Sequence, residues 1–277
     1  FQLQRPVVRP DKQQAPQPEK AEPKQRDIAD LYLESNVLWA SAVREALRAA
    51  RIAEPALACL LAADHDMGSP ALQAAAAELG VPLRFAAAAD SIGALAAQAW
   101  PQLLAPQCIG EGMAIAVANQ PIDPLQIGRA RGRLAVIGLG PGAADLMVPA
   151  VKAELARADD VLGYETYVRM AGPFRDDQVL HCSDNREELQ RARHAFELAA
   201  QGRSVVVVSS GDPGVFAMAA AVLEALHASS DPQWHSVDLQ MLPGVSASLA
   251  TAAQAGAPLG HDFCVMSLSD NLKPWSI

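Results

Sequence analysis

Three glycine-rich loops carry the residues best suited to chemistry: Gly138-Leu139-Gly140-Pro141-Gly142-Ala143-Ala144-Asp145, Ser209-Ser210-Gly211-Asp212-Pro213-Gly214 and Leu242-Pro243-Gly244-Val245-Ser246-Ala247. Glycines permit positive φ and close approach of a ligand to the main chain. The first loop fits G-x-G-x-x-G/A through Gly138, Gly140 and Ala143. However, Pro141 lacks the N–H that would face a pyrophosphate. On its own the loop therefore supports dinucleotide binding and plain turn chemistry equally. Asp145 could cap a following helix. In the second loop Asp212 sets a carboxylate beside a tight turn, either as a helix cap or as a ligand contact, and the two roles are compatible. In the third loop Ser246 is a candidate N-cap at a helix start that could receive a polar ligand atom.

Other reactive side chains are scattered. His65 lies between Asp64 and Asp66, a cluster that reads better as a solvated loop than as a metal or acid–base site. The four cysteines, Cys59, Cys108, Cys182 and Cys264, form no CxxC pair and read as isolated buried thiols, so no metal site is expected. Arg169, Arg175, Arg186, Arg191, Arg193 and Lys273 could face an anionic ligand, although most such residues simply solvate helix faces.

The elements that must position the loops alternate regularly. Strands are expected at Leu134–Gly138, Asp160–Tyr164, Gln178–Cys182, Ser204–Ser209, Val237–Leu242 and Phe263–Leu268, with helices at Asp145–Ala158, Arg186–Gln201, Val215–Ala228 and Ser246–Ala255. Repeated strand–helix units imply an α/β fold with a mostly parallel sheet flanked by helices, whose ligands gather at the carboxyl ends of strands. A smaller α/β domain precedes it. There Ala56 to Ala62 is a continuous apolar run, Ser69-Pro70 starts a helix that Gly80 stops, and a further helix lies near Ile92 to Leu104. Leu83–Ala86 and Met113–Ala118 are strand candidates in the same region. The expected division is a disordered tail or linker over 1–36, the small domain over 37–120, a linker over 121–132, the main domain over 133–261 and the start of another over 262–277.

The chain has 277 residues, 51% of them apolar, enough for two ordinary cores. Its net charge of −9 argues against a nucleic-acid partner. No apolar run of about eighteen residues suggests a membrane span, and no signal-peptide pattern opens the chain, so a cytoplasmic location is expected. Phe1 in place of methionine makes the sequence read as a fragment.

In order, GLGPG with AAD, ADDVLGYETYV, SSGDPGVFAMA, LPGVSASLATAAQAGAPLGHDF and SLSDNLKPW resemble the successive motifs of cobalamin-pathway tetrapyrrole methyltransferases. GYETYV, GDPGVFAMA and GHDFCVMSLSDNLKPW are most similar to the precorrin-3B C(17) enzymes and their cobalt-factor relatives. The resemblance covers Leu134 to Ile277. It implies S-adenosylmethionine as cofactor and a small-molecule tetrapyrrole as substrate, methylated at C(17) with ring contraction to precorrin-4. It also implies that Pro141 lines the cofactor site, that Ser210, Gly211 and Asp212 hold its methionine and ribose portions, and that Val215, Ser246 and Ala247 complete the visible half. Tyr164 and Tyr167 are candidate substrate contacts, with core packing as the alternative.

The nucleophile is then a substrate carbon, so no activated side chain is required and the catalytic residues stay unknown. His261, Asp262 and Asp270 are nearby candidates for a base. The resemblance further implies a second α/β domain of which 262–277 is only the beginning, so the sequence as it stands is expected not to catalyse efficiently. A homodimer and a cobalt-containing substrate both stay open. The other classes of function are an NAD-dependent oxidoreductase, for which only Glu165 approximates the acidic residue after the second strand, and a non-catalytic pathway scaffold. Val37 to Pro124 resembles the carboxyl-terminal domain of cobalt-precorrin-5A hydrolases. It lacks their glycine- and cysteine-bearing turn, reading Glu34-Ser35-Asn36-Val37-Leu38-Trp39 instead.

Overall fold

The computed structural model describes residues 28–100, 104, 107–108, 112–257 and 259–267. The described elements fall into two α/β sets with separate sheets and cores. In the first, α1 (Ile28–Ala49) lies against α2 (Pro70–Leu79), and β1 (Leu60–Ala63) pairs in parallel with β2 (Leu83–Ala86). The sequence marks α2 at both ends. Ser69 Oγ accepts from Leu72 N at 3.4 Å, Pro70 sits at the first position, and Gly80 closes the helix at φ +67°. The core of this unit is small, centred on Ala62, Met67 and Phe85.

Several expectations are corrected in this unit. The tail expected over 1–36 is helical from Ile28, whereas 1–27 lie outside the described residues. α3 (Ile92–Ala99) stops before Leu104, because Pro101 disfavours helical backbone at Trp100. The strand expected over Met113–Ala118 shrinks to β4 (Ala114–Ile115), antiparallel to β3 (Gln107–Cys108).

The 121–132 segment is packed rather than loose. Phe85 and Arg129 exchange main-chain hydrogen bonds of 2.8 Å. The buried Arg84 donates to the carbonyls of Ile127, Leu125 and Gly128 at 2.7, 3.0 and 3.1 Å. Arg129 reaches Asp64 at 3.2 Å and the Ala200 carbonyl, so it ties the first unit to the second.

The second unit is a five-stranded, wholly parallel sheet in the order β7 (Val179–Ser183), β6 (Asp160–Tyr164), β8 (Ser204–Ser209), β5 (Arg133–Gly138), β9 (Asp238–Leu242). The mostly parallel α/β architecture read from the sequence is therefore present. β5 and β8 read as unbroken apolar runs because helices cover both faces. On one face, α4 (Pro149–Arg157) and α5 (Glu165–Ala171) pack Val151, Leu155 and Val168 onto Ala135, Ile137, Val206 and Val208. On the other, α6 (Glu188–Ala200) and α7 (Met218–Ala228) pack Phe196 and Val222 onto Leu134, Val136, Val205 and Val207. Each such buried valine or leucine contributes about 2 kcal/mol by transfer from water. Trp234 of the short α8 (Pro232–Ser236) stacks on Phe196 at 5.0 Å.

The amino ends of these strands are locked by charge. Glu154, 1% exposed, accepts from Arg133 at 2.6 and 3.2 Å and from Arg157, and Arg133 also reaches Asp238. Asp160 accepts from Arg203 and lies 2.8 Å from His181 Nε2. Burial alone would raise both carboxyls, but the arginine hydrogen bonds prevail and hold them below the usual carboxylate range, with His181 adding to the effect at Asp160.

Boundaries shift here as well. The helix expected from Asp145 is a one-turn 3-10 segment (Ala144–Leu146) followed by α4, so Asp145 caps nothing and Val148 stands at the N-cap. α7 begins three residues after Val215. α5 and α8 were not anticipated, because both are too short to show a helical period. The strand expected at Phe263–Leu268 is not formed over 263–267, and 268–277, with Asp270 and Lys273, lie outside the described residues. Cys182 and Cys264 are exposed and Cys59 half-buried, contrary to the expectation of buried thiols. The Cys108 side chain falls outside the described residues. Among the described residues no helix is long and apolar enough to cross a membrane.

Candidate functional site

Strand order decides where a ligand can enter. From β5 the chain leaves over the α4 face and returns at β6, while from adjacent β8 it leaves over the α7 face and returns at β9. Neighbouring loops that depart in opposite directions open a crevice at the sheet's carboxyl rim. The loops after β5, β8 and β9 are the three glycine-rich segments, and the structure brings them together.

Their meeting is made of backbone. Gly140 N donates to Gly211 O at 3.1 Å and Gly211 N to Gly140 O at 2.8 Å, welding the first loop to the second. A Cβ on Gly138 would lie 2.8 Å from Gly244 N, and a Cβ on Gly244 would collide with the Gly211 carbonyl and lie 2.6 Å from that of Gly138. Gly140 and Gly211 adopt φ of +78° and +64°, a region that favours glycine. Glycine at these positions is therefore demanded by contact as well as by conformation.

The expected site residues sit around this weld. Pro141 is half-buried directly after the Gly140 bridge, and the exposed Gly142 has φ +109° with open space where a side chain would stand, apart from Met170 Cε at 3.7 Å. Ser210 is half-buried at the end of β8 and Gly211 is buried. Asp212 does not cap α7, which Ser209 Oγ reaches instead through Met218 N at 3.3 Å. Its Oδ1 accepts from Gly214 N at 2.8 Å and its Oδ2 from Gly244 N at 3.1 Å. Val215 is 42% exposed. Ser246 holds the N-cap position of α9 (Ala247–Gln254), but its Oγ meets Ser248 Oγ at 2.8 Å and caps no amide. Ala247 is exposed at the first turn.

Phe216, which the sequence reading passed over, is 59% exposed and holds φ +53° on the same rim. Its only signal was an aromatic beside Val215 in a loop that otherwise reads as a tight turn. Strain of this kind in a bulky residue is retained where a site requires it.

Tyr164 ends β6 on this rim, and its ring meets Tyr167 edge-on at 5.3 Å, while Tyr167 also packs on the α4-side core. Among the described residues, Arg169, Arg175 and Arg191 are engaged with other partners. Arg169 pairs with Glu165, and Arg175 binds Asp177 at 2.9 Å and the Ala158 carbonyl at 3.2 Å. Arg191 is buried against Ser183 Oγ at 2.9 Å and the Asp184 carbonyl at 2.7 Å, and burial pushes its pKa below the ordinary arginine value. Arg186 and Arg193 are exposed, as are His261 and Asp262. His65 is exposed beside Asp66 at 3.5 Å, while Asp64 turns to Arg129.

The dinucleotide reading of the first loop fails on geometry. A pyrophosphate site needs free amides at a helix start. Gly140 N is consumed by Gly211, Pro141 has no N–H, and the helix begins only at Pro149.

The model of the Tetrapyrrole (Corrin/Porphyrin) Methylases matches residues 133–276. The chain is 53% identical over 146 residues to a precorrin-3B C(17)-methyltransferase of Sinorhizobium sp, covering 53% of this chain and 57% of that protein. It is 40% identical over 144 residues to a probable cobalt-factor III C(17)-methyltransferase of Salmonella typhimurium, covering 52% and 58%. Among solved structures, that of the methyltransferase CobJ is 58% identical with a TM-score of 0.49, covering 52% of this chain and 59% of that one. The chain thus spans little more than half the length of these relatives. Loops that meet at a switch point, on strands that fall within the matched residues, agree with that match: the chain belongs to the tetrapyrrole methylase family.

Proposed function

We propose that the carboxyl rim of β5, β8 and β9 is one half of an S-adenosylmethionine site, and that the protein methylates C(17) of precorrin-3B, with ring contraction to precorrin-4, in cobalamin biosynthesis. The observation that carries this reading is the glycine weld of the three loops at the switch point, within a region 53% identical to a C(17)-methyltransferase. The cobalt-containing version of the reaction is the second choice, since the cobalt-factor relative is 40% identical.

The residues present fit the cofactor. Pro141 and the open space at Gly142 leave room for a ligand against the first loop, Ser210 and Ser246 offer hydroxyls, and Val215 and Phe216 offer an apolar wall. S-adenosylmethionine supplies an electrophilic methyl group on a sulfonium. The protein's work is to orient donor and acceptor at close range and to keep water out, which accounts for much of the acceleration available without a side-chain nucleophile. Tyr164 and Tyr167 stand on the same rim as candidate tetrapyrrole contacts.

We also propose the division of the chain into two units near 121–132, supported by their separate sheets and cores. Its amino-terminal unit is read as a relative of the hydrolase domain that its sequence resembles. A homodimer and a cytoplasmic location belong to this proposal too.

Calorimetry against S-adenosylhomocysteine and NAD tests the site: heat with the first and none with the second is expected, and the reverse would overturn the reading. With the full-length protein, a labelled methyl group from S-adenosylmethionine should appear on C(17) of precorrin-3B. Label at another position would refute the substrate assignment.

A further inference from the structure

We infer that Asp212 is a positioning residue that fixes the third loop against the second, and that the cofactor's direct polar contacts come from other groups. The inference rests on the cofactor reading of the rim. Strand β9 by itself fixes little of the third loop. Its ladder to β5 ends at the Ile137–Leu242 pair, after which the chain leaves the sheet. Pro243 has no N–H to offer, so Gly244 carries the first main-chain donor beyond the ladder. That donor goes to Asp212 Oδ2 at 3.1 Å, while Oδ1 takes Gly214 N in the second loop at 2.8 Å. One carboxylate thus accepts from amides on two loops, and bonds to a charged acceptor are about twice as strong as neutral ones.

Holding Gly244 in place matters for the helix beyond it. Two residues later Ser246 leads into α9, whose first turn has no side-chain cap. The place where that turn presents its amides depends on how Gly244 is held. The Gly244 α-carbon also faces the Gly211 and Gly138 carbonyls so closely that a Cβ would collide, so the pull towards Asp212 in the second loop is stopped by contact with the neighbouring main chain. The two together define one position. Without the carboxylate the contact still excludes movement inward but nothing opposes movement outward, and α9 drifts from Ser210 and Gly211. An anchored carboxylate whose oxygens both serve the main chain is poorly placed to act as the principal ligand contact.

The test compares Asp212→Asn, which keeps the shape and removes the charge, with Asp212→Glu, which keeps the charge and lengthens the arm. Dissociation constants for S-adenosylmethionine and S-adenosylhomocysteine are measured for each full-length protein, along with hydrogen exchange at the Gly244 amide. Positioning predicts that both variants weaken both ligands by the same factor, about tenfold, and that Gly244 exchanges faster in each before any ligand is added. A loss confined to S-adenosylmethionine, which alone bears the sulfonium charge, would make Asp212 a direct electrostatic contact and overturn the inference. Wild-type affinity in Asp212→Glu, or unchanged Gly244 exchange in both variants, would also overturn it. If the unaltered protein binds neither ligand, the cofactor reading fails. Gly244 exchange then still decides whether Asp212 holds the loop.

Discussion

The two rims of the main sheet are built from the same five strands and from opposite materials. At the amino rim, Arg133, Glu154, Arg157 and Asp238 form one ionic cluster and Asp160, Arg203 and His181 another, and two of the carboxylates are almost fully buried. At the carboxyl rim the loops touch through glycine backbone, with the Asp212 carboxylate joining two of them. Arg129 and Arg131 attach the first unit and its connecting segment at or beside the amino rim, through the Ala200 and Ser236 carbonyls. Charge neutralised in place stabilises a surface that nothing has to enter. A rim that must accept a ligand leaves its polar groups for that ligand and relies on close main-chain contact for its shape.

Substitutions at the two rims should separate stability from binding. The largest effect is expected for Gly244→Ala. Its Cβ meets two carbonyl oxygens that cannot move without breaking the weld, so stability should fall by about 3 kcal/mol, roughly 8 °C in melting temperature, and S-adenosylhomocysteine binding should vanish from calorimetry. A fully active Gly244→Ala would show that the rim is plastic and remove the basis of the contrast.

Asp160→Asn comes next. It deprives Arg203 and His181 of a buried anion and should cost about 2 kcal/mol in urea unfolding, while the dissociation constant for S-adenosylhomocysteine stays within about twofold. A marked loss of affinity would mean that the rims are coupled through the strands.

The smallest effect is a pH dependence. Glu154 and Asp160 titrate in the folded protein below their unfolded values of roughly 4, so the unfolded chain binds more protons and stability falls as pH falls. Their contribution should be complete above about pH 5 and lost progressively as the pH drops through the folded values. Melting temperatures between pH 3 and 7 should show this slope, and Asp160→Asn should flatten it. An equal slope in that variant would place the acid sensitivity elsewhere.

Much of this was legible locally. Ser69, Pro70 and Gly80 announce α2 because cap chemistry acts within a few residues. β2, β6 and β8 begin and end at the residues expected from the sequence, Leu83–Ala86, Asp160–Tyr164 and Ser204–Ser209. Helix starts were read less well. Asp145 and Asp212 both looked like caps, and neither caps a helix. A carboxylate near a helix start can bond to any amide within reach, and those of Asp212 include Gly244, 32 positions away. The short α5 and α8 escaped because tertiary packing, not periodicity, stabilises helices of that length.

The sequence by itself determined that strands alternate with helices, that glycine-rich loops follow three of the strands, and that their motifs are those of tetrapyrrole methylases. Those properties depend on residues near one another along the chain. Only the tertiary structure decided that β5 lies between β8 and β9, and so that Gly138, Gly211 and Gly244 meet. It alone paired Arg133 with Asp238, 105 positions away, and turned Asp212 from a cap into a tie between loops. Parallel strands are joined by long crossovers, so their neighbours are set by how the helices pack on the two faces, and local propensity carries no record of that choice.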